Sequence, residues 1–514
     1  MSEVFAAIDV GSYELALKIF EISPKKGVKE LDHIRHNIDL GSETYLTGKI
    51  SYNHMEELSH VLKDFVRIMK SYGVTHYQAY GTSAMRETAN IDIVIEQLMQ
   101  KSGLHIDVIS NSEQRFLDYK SIALKSDEFS KVIEKSTAIV DIGGGSIQIS
   151  LFDNDKLVAT QNLKMGVLRL YSTLEQLNAS RQRYAHLISE LVNSQLSVFS
   201  KMYVKDRKIE NIIILDDYVS PIIQKGLLGN EKKGYAKVAD IPYLLENMSN
   251  ATRADITKKL HLSEDTIPLV FVSGILVQCI INMLGAQMLW APGVTLCDGI
   301  AYEYAEKRKM IKLPHDFEQD IIACAQNISK RYMGSKSRSE TLQTIALNLF
   351  DATKKVHGLS KRDRLLLQIA TILHDCGKYI SMVNLASCSY NIIMSTEIIG
   401  LSHREREIVA NVVKFNHDDF EYYKGSPELY ARLEHEDYLK LVKLTALLRV
   451  TNGLDRTHKQ KFKNVRFSLK DNELIITVDN MDDVTLENGL FKNRADFFEE
   501  VFGVKPVIRQ KRSL

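Results

Sequence analysis

The sequence predicts two related α/β lobes, then an all-helical domain and a small α/β tail. Three observations carry that expectation: a duplicated strand–glycine turn–strand motif, strands alternating with helices up to about residue 302, and a change to helical spacing alone from about Ala305. At 514 residues the chain has room for about three domains, each with its own core.

The duplication comes first. Ala7-Ile8-Asp9-Val10-Gly11-Ser12 and Ile139-Val140-Asp141-Ile142-Gly143-Gly144-Gly145-Ser146 share an apolar strand ending in Asp-x-Gly. Beyond each turn, Leu15, Leu17 and Ile19 alternate as Ile147, Ile149 and Leu151 do, and both runs reach a phenylalanine, Phe20 and Phe152. Period-two alternation reads as a half-buried strand, so each copy predicts a hairpin and each hairpin opens a lobe, 1–130 and 131–302. In the first lobe, Asn53–Lys70 and Asn90–Lys101 read as helices, and Tyr77–Tyr80 and His105–Ile109 as strands. In the second, Asn211–Leu215 and Leu269–Ser273 read as strands, and Ser180–Tyr203 and Gly274–Leu289 as helices. The stretch Ile267–Trp290 is the most membrane-like. Ser273, Gly274, Gln278, Asn282 and Gln287 interrupt it, so it is assigned to a buried strand followed by a helix. Apolar residues at helical spacing through Ile321–Ile328, Leu342–Leu349, Leu365–Leu373 and Leu439–Val450 define a helical domain, 303–460. The tail, 461–514, alternates around the turn Lys470-Asp471-Asn472-Glu473 and ends in a helix, Arg494–Phe502.

Composition narrows the function classes. With 45% hydrophobic and 25% charged residues, the chain is not of the disordered, collagenous or coiled-coil classes. A net charge of +1 speaks against a dedicated nucleic-acid binder, although a local basic groove for a smaller polyanion is compatible with it. The five cysteines, Cys279, Cys297, Cys324, Cys376 and Cys388, form no C-x-x-C pair and fit a reducing compartment. Val4–Val10 contains Asp9 and follows no basic leader, unlike a signal peptide. The expectation is a soluble cytoplasmic protein without membrane or nucleic-acid partners, for which a homodimer is compatible.

The paired glycine turns carry the chemistry. Glycines let backbone N–H groups converge on phosphate oxygens, so Gly11, Ser12, Gly143, Gly144, Gly145 and Ser146 are candidates to cradle phosphate. Asp9 and Asp141 are candidates to hold Mg²⁺ through water, and the ligand would lie between the lobes. There is no G-x-x-x-x-G-K-[ST] loop and no local signature of Ser-His-Asp chemistry.

At these residues the chain resembles the exopolyphosphatase/guanosine pentaphosphate phosphatase family of the actin–sugar kinase superfamily. Gly81-Thr82-Ser83-Ala84-Met85-Arg86-Glu87-Thr88-Ala89-Asn90 is similar to that family's A-T-S-A-x-R-x-A-x-N, and Ile109-Ser110-Asn111-Ser112-Glu113-Gln114 to its I-S-G-x-E-E. Gly166-Val167-Leu168-Arg169-Leu170 resembles G-x-x-R-L, while Ser273-Gly274 and Asp298-Gly299 resemble later glycine turns. The resemblance implies a two-lobed actin-like ATPase (ribonuclease H-like) fold and a Mg²⁺-dependent phosphohydrolase of polyphosphate or guanosine pentaphosphate. It also implies phosphate clamps at Arg86 and Arg169. In the family the second Glu of I-S-G-x-E-E is the general base and the Glu of G-G-G-S-T-E helps to place water or metal. Here those positions are Gln114 and Gln148. An amide takes no proton near neutral pH, and loss of a positioned base costs about 10²–10⁴ in rate. Glu113 is a displaced candidate, one residue away and about 100° around a helix. The family's arginine in the first hairpin is absent, with Ala16 near its place.

The helical domain departs in the same way. Leu373-His374-Asp375-Cys376-Gly377 resembles the L-H-D-x-G of HD-type domains, in which His and Asp ligate metal. Arg338 stands where an upstream His is needed, Asn452 where a distant Asp is needed, and Leu385-Ala386-Ser387-Cys388 where a His cluster is usual. His374 and Asp375 are therefore expected to be a structural hydrogen-bonded pair. His403, His417, His435 and His458 lack ligand spacing, and Lys307-Arg308-Lys309 and Arg509, Lys511 and Arg512 read as solvated ends. Two functions follow as expectations. One is binding of polyphosphate or a guanosine polyphosphate with Mg²⁺, hydrolysis being favoured by the resemblance and opposed by the two glutamines. The other is a non-catalytic sensor of the same ligands. A sugar or acetate kinase-like transferase is a weaker third, lacking an identifiable acceptor-binding Asp.

Overall fold

Two hairpins with the same register organise the first part of the chain. The structure is a computed structural model that describes residues 2–154, 156–228, 232–311, 315–425, 433–479 and 482–511, apart from the side chains at 126 and 127; Arg512 falls outside. The residues form two compact units, Met1–Phe317 and Glu318–Leu514.

In the first unit, strands β1 (Glu3–Val10), β2 (Glu14–Ser23), β3 (Gly27–Asn37), β4 (His76–Gly81) and β5 (Asp107–Val108) form a sheet of order β3-β2-β1-β4-β5. Strands β6 (Thr137–Ile142), β7 (Ile147–Asp153), β8 (Lys156–Leu163), β9 (Asn211–Asp216), β10 (Tyr235–Lys237) and β11 (Met288–Trp290) form the second, of order β10-β11-β9-β6-β7-β8. Each sheet is an antiparallel meander of three strands continued by two strands parallel to its first, and β10 adds an edge to the second. Asp9 pairs with Ala16 as Asp141 pairs with Gln148. The register slips at Ile19/Phe20 in β2 and at Leu151/Phe152 in β7, so even the bulges repeat.

Alternation places Ala6, Ile8 and Val10 in one core and Phe5 and Ala7 in another, where the helix Leu296–Lys307 covers the sheet with Cys297, Ile300 and Ala301. In the second lobe, Ile267–Leu284 is one continuous helix, followed by β11. The expected strand Leu269–Ser273 is therefore corrected. An unbroken apolar run has no period to separate strand from helix, and Gly274 admits the Leu245 side chain instead of ending an element. That helix is long and apolar enough to cross a membrane, and 78% of its apolar window is buried inside the protein. Ser273-Gly274 and Asp298-Gly299, expected as turns, are also helical. Asp298 closes a capping box with Thr295, and a Cβ on Gly299 would lie 2.1 Å from the Leu117 carbonyl oxygen, so glycine there serves helix–helix contact.

The second unit contains the helices Lys336–Ala352, Lys361–Leu373, Leu385–Ser395, His403–His417 and His435–Gly453. Its tail forms a sheet of β12 (Arg466–Lys470), β13 (Glu473–Asp479) and β14 (Lys505–Lys511), turned at Asp471 and Asn472 with φ of 50° and 61°. The basic end is thus an edge strand parallel to β13, on which Arg509 pairs with Glu473. The last helix runs Thr485–Phe502, nine residues longer than the apolar pattern predicts. Its buried face includes Glu487, which Lys461 neutralises and to which Thr457 donates, and a charged residue at a core position hides the period.

Candidate functional site

The two glycine loops meet at the ends of β1 and β6. Gly11 and Gly143 close their turns through N–H bonds to the carbonyls of Glu14 (3.1 Å) and Ser146 (2.9 Å). The helix Val167–Gln176 starts on the second loop, where N–H groups of Val167 and Leu168 donate to the carbonyls of Gly143 (3.0 Å) and Gly144 (2.9 Å). Gly166 is required by this approach, because a Cβ there would lie 2.3 Å from the Gly144 backbone. The loops touch: a Cβ on Gly144 would stand 3.1 Å from that of Ser12.

Hydroxyls and cations line this junction. Ala84 N–H donates to Ser12 Oγ (3.2 Å), Ser12 shares a bond with Tyr45 Oη (2.8 Å), and Tyr45 donates to Ser83 Oγ (2.9 Å). Tyr45, from the helix Leu40–Thr47, also lies under Arg169, whose guanidinium carbon is 4.4 Å from the ring centroid. Arg169 Nε donates to Gly145 O (3.1 Å) and its Nη2 pairs with Glu87 (2.7 Å), joining one lobe to the other. Arg86 donates to Ile109 O (2.8 Å) and, with both Nη atoms, to Gln114 Oε1 (3.4 Å).

The three candidates for water activation are engaged as hydrogen-bonding groups. Gln114 accepts from Arg86. Gln148, 4% exposed, accepts from Asn111 Nδ2 (3.3 Å) and donates to Thr160. Glu113 caps its own helix: its carboxylate accepts from Ser110 N–H (2.9 Å) while Ser110 Oγ accepts from Glu113 N–H (3.3 Å). Ala16, opposite Asp9, is buried, and the nearby cation on that strand, Lys18, is paired with Asp298 and Glu30, each at 2.9 Å.

Beneath the loops lies a carboxylate cluster that sequence reading did not assemble. Arg115, 5% exposed, pairs with Asp141, lies 3.6 Å from Asp118 and reaches Ser146 Oγ (3.5 Å). Burial holds Asp9 well above the usual carboxylate range, and Asp217, Glu14 and Asp141 add to the rise. Burial followed by Asp141 does the same to Asp118. Asp217, just past β9, is exposed, and partial desolvation with Glu14 and Asp216 raises its carboxyl to about 7. Arg115, Asp118, Asp217 and Tyr45 belong to no phosphate motif, and only the fold brings them to the cleft.

Toward a magnesium ion held through water, Asp9 offers one buried oxygen without a partner, while the carboxylate of Asp141 is engaged by Arg115. Among the described residues no three His, Cys, Asp or Glu side chains gather as a metal cluster. The internal positive charge at this place is a guanidinium. The arrangement can receive phosphate oxygens on glycine-loop amides and on Arg86 and Arg169, and its amides offer no base.

The sequence matches the Ppx/GppA phosphatase family over residues 19–308 and that family's domain III over residues 322–496. It is 22% identical over 483 residues to a guanosine-5'-triphosphate,3'-diphosphate pyrophosphatase of Vibrio atlanticus (strain LGP32), spanning 92% of each chain. The Vibrio cholerae (strain ATCC 39541) protein of the same name is 22% identical over 485 residues, 93% of this chain and 92% of that one. The crystal structure of an exopolyphosphatase from Cytophaga hutchinsonii superposes with a TM-score of 0.52 at 17% identity, covering 60% of this chain and 99% of the other. At that identity the shared feature is the fold, two actin-like, ribonuclease H-like lobes.

Proposed function

From the premise that this chain belongs to the Ppx/GppA phosphatase family, we propose that its interlobe cleft binds a phosphate chain, polyphosphate or guanosine pentaphosphate, and hydrolyses it slowly or not at all. The observation that carries the reading is the pairing of kept and altered parts in one cleft. Both glycine loops meet beside Arg169, and Arg86 holds Gln114, while the positions that the resemblance assigns to activating water, Gln114 and Gln148, are each tied into hydrogen bonds. Loop amides and guanidinium groups recognise phosphate oxygens without reading a base, which suits a chain of phosphates. Arg115 supplies the charge next to Asp141, so the reading needs no magnesium ion bound by this chain. The ligand-binding form is a sensor: a phosphate chain entering between Ser12 and Gly144 would part loops that now touch, and lobe separation would be the signal.

A second reading, turnover with another base, is favoured by Asp217, a carboxylate open to the cleft that titrates at about 7. Calorimetry with polyphosphate and with guanosine pentaphosphate, in chelator and in Mg²⁺, tests the binding claim. Binding that persists in chelator and weakens tenfold or more in Arg169→Ala supports it. Absence of binding by the wild type under both conditions refutes it.

A further inference from the structure

In the helical unit, five side chains from three stretches of chain converge on one buried point. Arg338 projects from the first turn of the helix Lys336–Ala352, His374 and Asp375 follow the helix Lys361–Leu373, and Asn452 lies in the last turn of the helix His435–Gly453 with Asp455 just beyond it. Arg338 Nη1 donates to His374 Nε2 (2.7 Å) and Asp375 Oδ2 (3.2 Å), Nη2 to Asn452 Oδ1 (3.0 Å), and Nε to Asp455 Oδ2 (3.1 Å). Arg338, His374, Asn452 and Asp455 are 5, 2, 3 and 1% exposed. The expected direct pair of His374 and Asp375 is thus bridged: their own closest approach is 3.7 Å, and the guanidinium lies between them.

We propose that Arg338 is a built-in substitute for a divalent cation: its guanidinium fills a metal-type donor set, so the helical unit folds without metal and excludes the ion those side chains would otherwise bind. The donors are the ones a metal would need, an imidazole nitrogen, two carboxylates and a carboxamide oxygen. His374 is held as a metal ligand would be. Accepting at Nε2 makes Nδ1 the protonated nitrogen, and Nδ1–H donates to Thr371 O (2.8 Å). A supporting layer orients the others: Asn452 Nδ2 donates to Asn416 Oδ1 (3.3 Å) and Gln460 N–H to Asp455 Oδ1 (2.8 Å). Charge matches as well. Asp375 and Asp455 are balanced by Arg338 and by Lys378, which lies 3.1 Å from Asp375, so two monovalent cations do the work of one divalent ion. The 2.7–3.2 Å spacings suit hydrogen bonds, whereas coordination would draw the donors in to about 2.0–2.2 Å.

The test uses the full chain as wild type, Arg338→His, Arg338→Met and Arg338→Met/Asp455→Asn, with Co²⁺ titrated under visible absorption and thermal unfolding followed by circular dichroism. Wild type should show no Co²⁺ absorption band. Arg338→His should take up one Co²⁺ per chain with a band that His374→Ala abolishes, and should melt higher with the metal bound. Arg338→Met should melt roughly 10 °C lower, because it leaves buried carboxylate charge uncompensated. If the single variants do not fold, the double variant decides, since removing Asp455's charge should recover at least half of the loss. A cobalt band in wild type that His374→Ala removes would overturn the proposal. So would a folded Arg338→His that takes up no metal, an Arg338→Met as stable as wild type, or a double variant no better than the single one.

Discussion

At the scale of single residues, the groups at the positions that the resemblance assigns to water activation hold structure and accept no proton. Gln114 and Gln148 keep the length of glutamate and lose its basicity, Gln148 donating to Thr160 as no carboxylate could, and Glu113 is committed to Ser110. Asp217 is the exception, and its pH behaviour is predictable. Its carboxyl, at about 7, is neutral below that pH and charged above it. An anionic ligand should therefore bind more weakly as pH rises from 6 to 8, and Asp217→Asn should flatten the profile beyond the ligand's own titration; equal slopes in both proteins would exclude Asp217 from the cleft's electrostatics. The histidines of the helical unit act in the opposite part of the pH range. Burial lowers His374 to about 3 and His417 to about 4, so they stay neutral in the fold while the unfolded chain protonates them near 6.5. The unfolded state binds more protons below that pH, so stability falls on acidification, by about 1.4 kcal/mol per pH unit for each histidine until its folded value is reached. Urea midpoints at pH 7 and pH 5 check the sign; a helical unit more stable at pH 5 would contradict it.

At the scale of elements, the duplicated hairpin was legible because its signal is local: Asp, glycines and an alternating strand recur at fixed spacing, and the structure repeats them down to the bulge before Phe20 and Phe152. The glycine loops were readable for the same reason. The Ile267–Leu284 helix was misread because a run buried on every side has no amphipathic period, and Thr485–Phe502 was shortened because Glu487 occupies a core position. Arg115, Asp118 and Asp217 could not be gathered from sequence, since they lie on a helix and a loop far along the chain from Asp9 and only the sheet orders bring them close. The junction of helix and second loop yields a prediction of its own. Gly166→Ala would push a methyl to within 2.3 Å of Gly144 backbone, which cannot move aside as a side-chain end could. It should cost about 1–3 kcal/mol and lower the melting temperature of the first unit by several degrees. An unchanged melting temperature would show that the loop gives way to the added methyl.

At the scale of the molecule, a net charge of +1 hides how charge is placed. In the cleft Arg115 meets Asp141, and in the helical unit Arg338 meets Asp375 and Asp455. In each place a family resemblance leads one to expect metal, and the chain supplies a guanidinium of its own. The fold is that of the family, while the groups at the positions that the resemblance assigns to activating water are amides. The most direct measurement is phosphate release under multiple turnover from polyphosphate and guanosine pentaphosphate, comparing wild type with Gln114→Glu/Gln148→Glu. The wild type should release little or no phosphate, and the double variant should gain about 10² or more, the scale of a restored general base. Brisk turnover by the wild type, with no gain in the double variant, would contradict it.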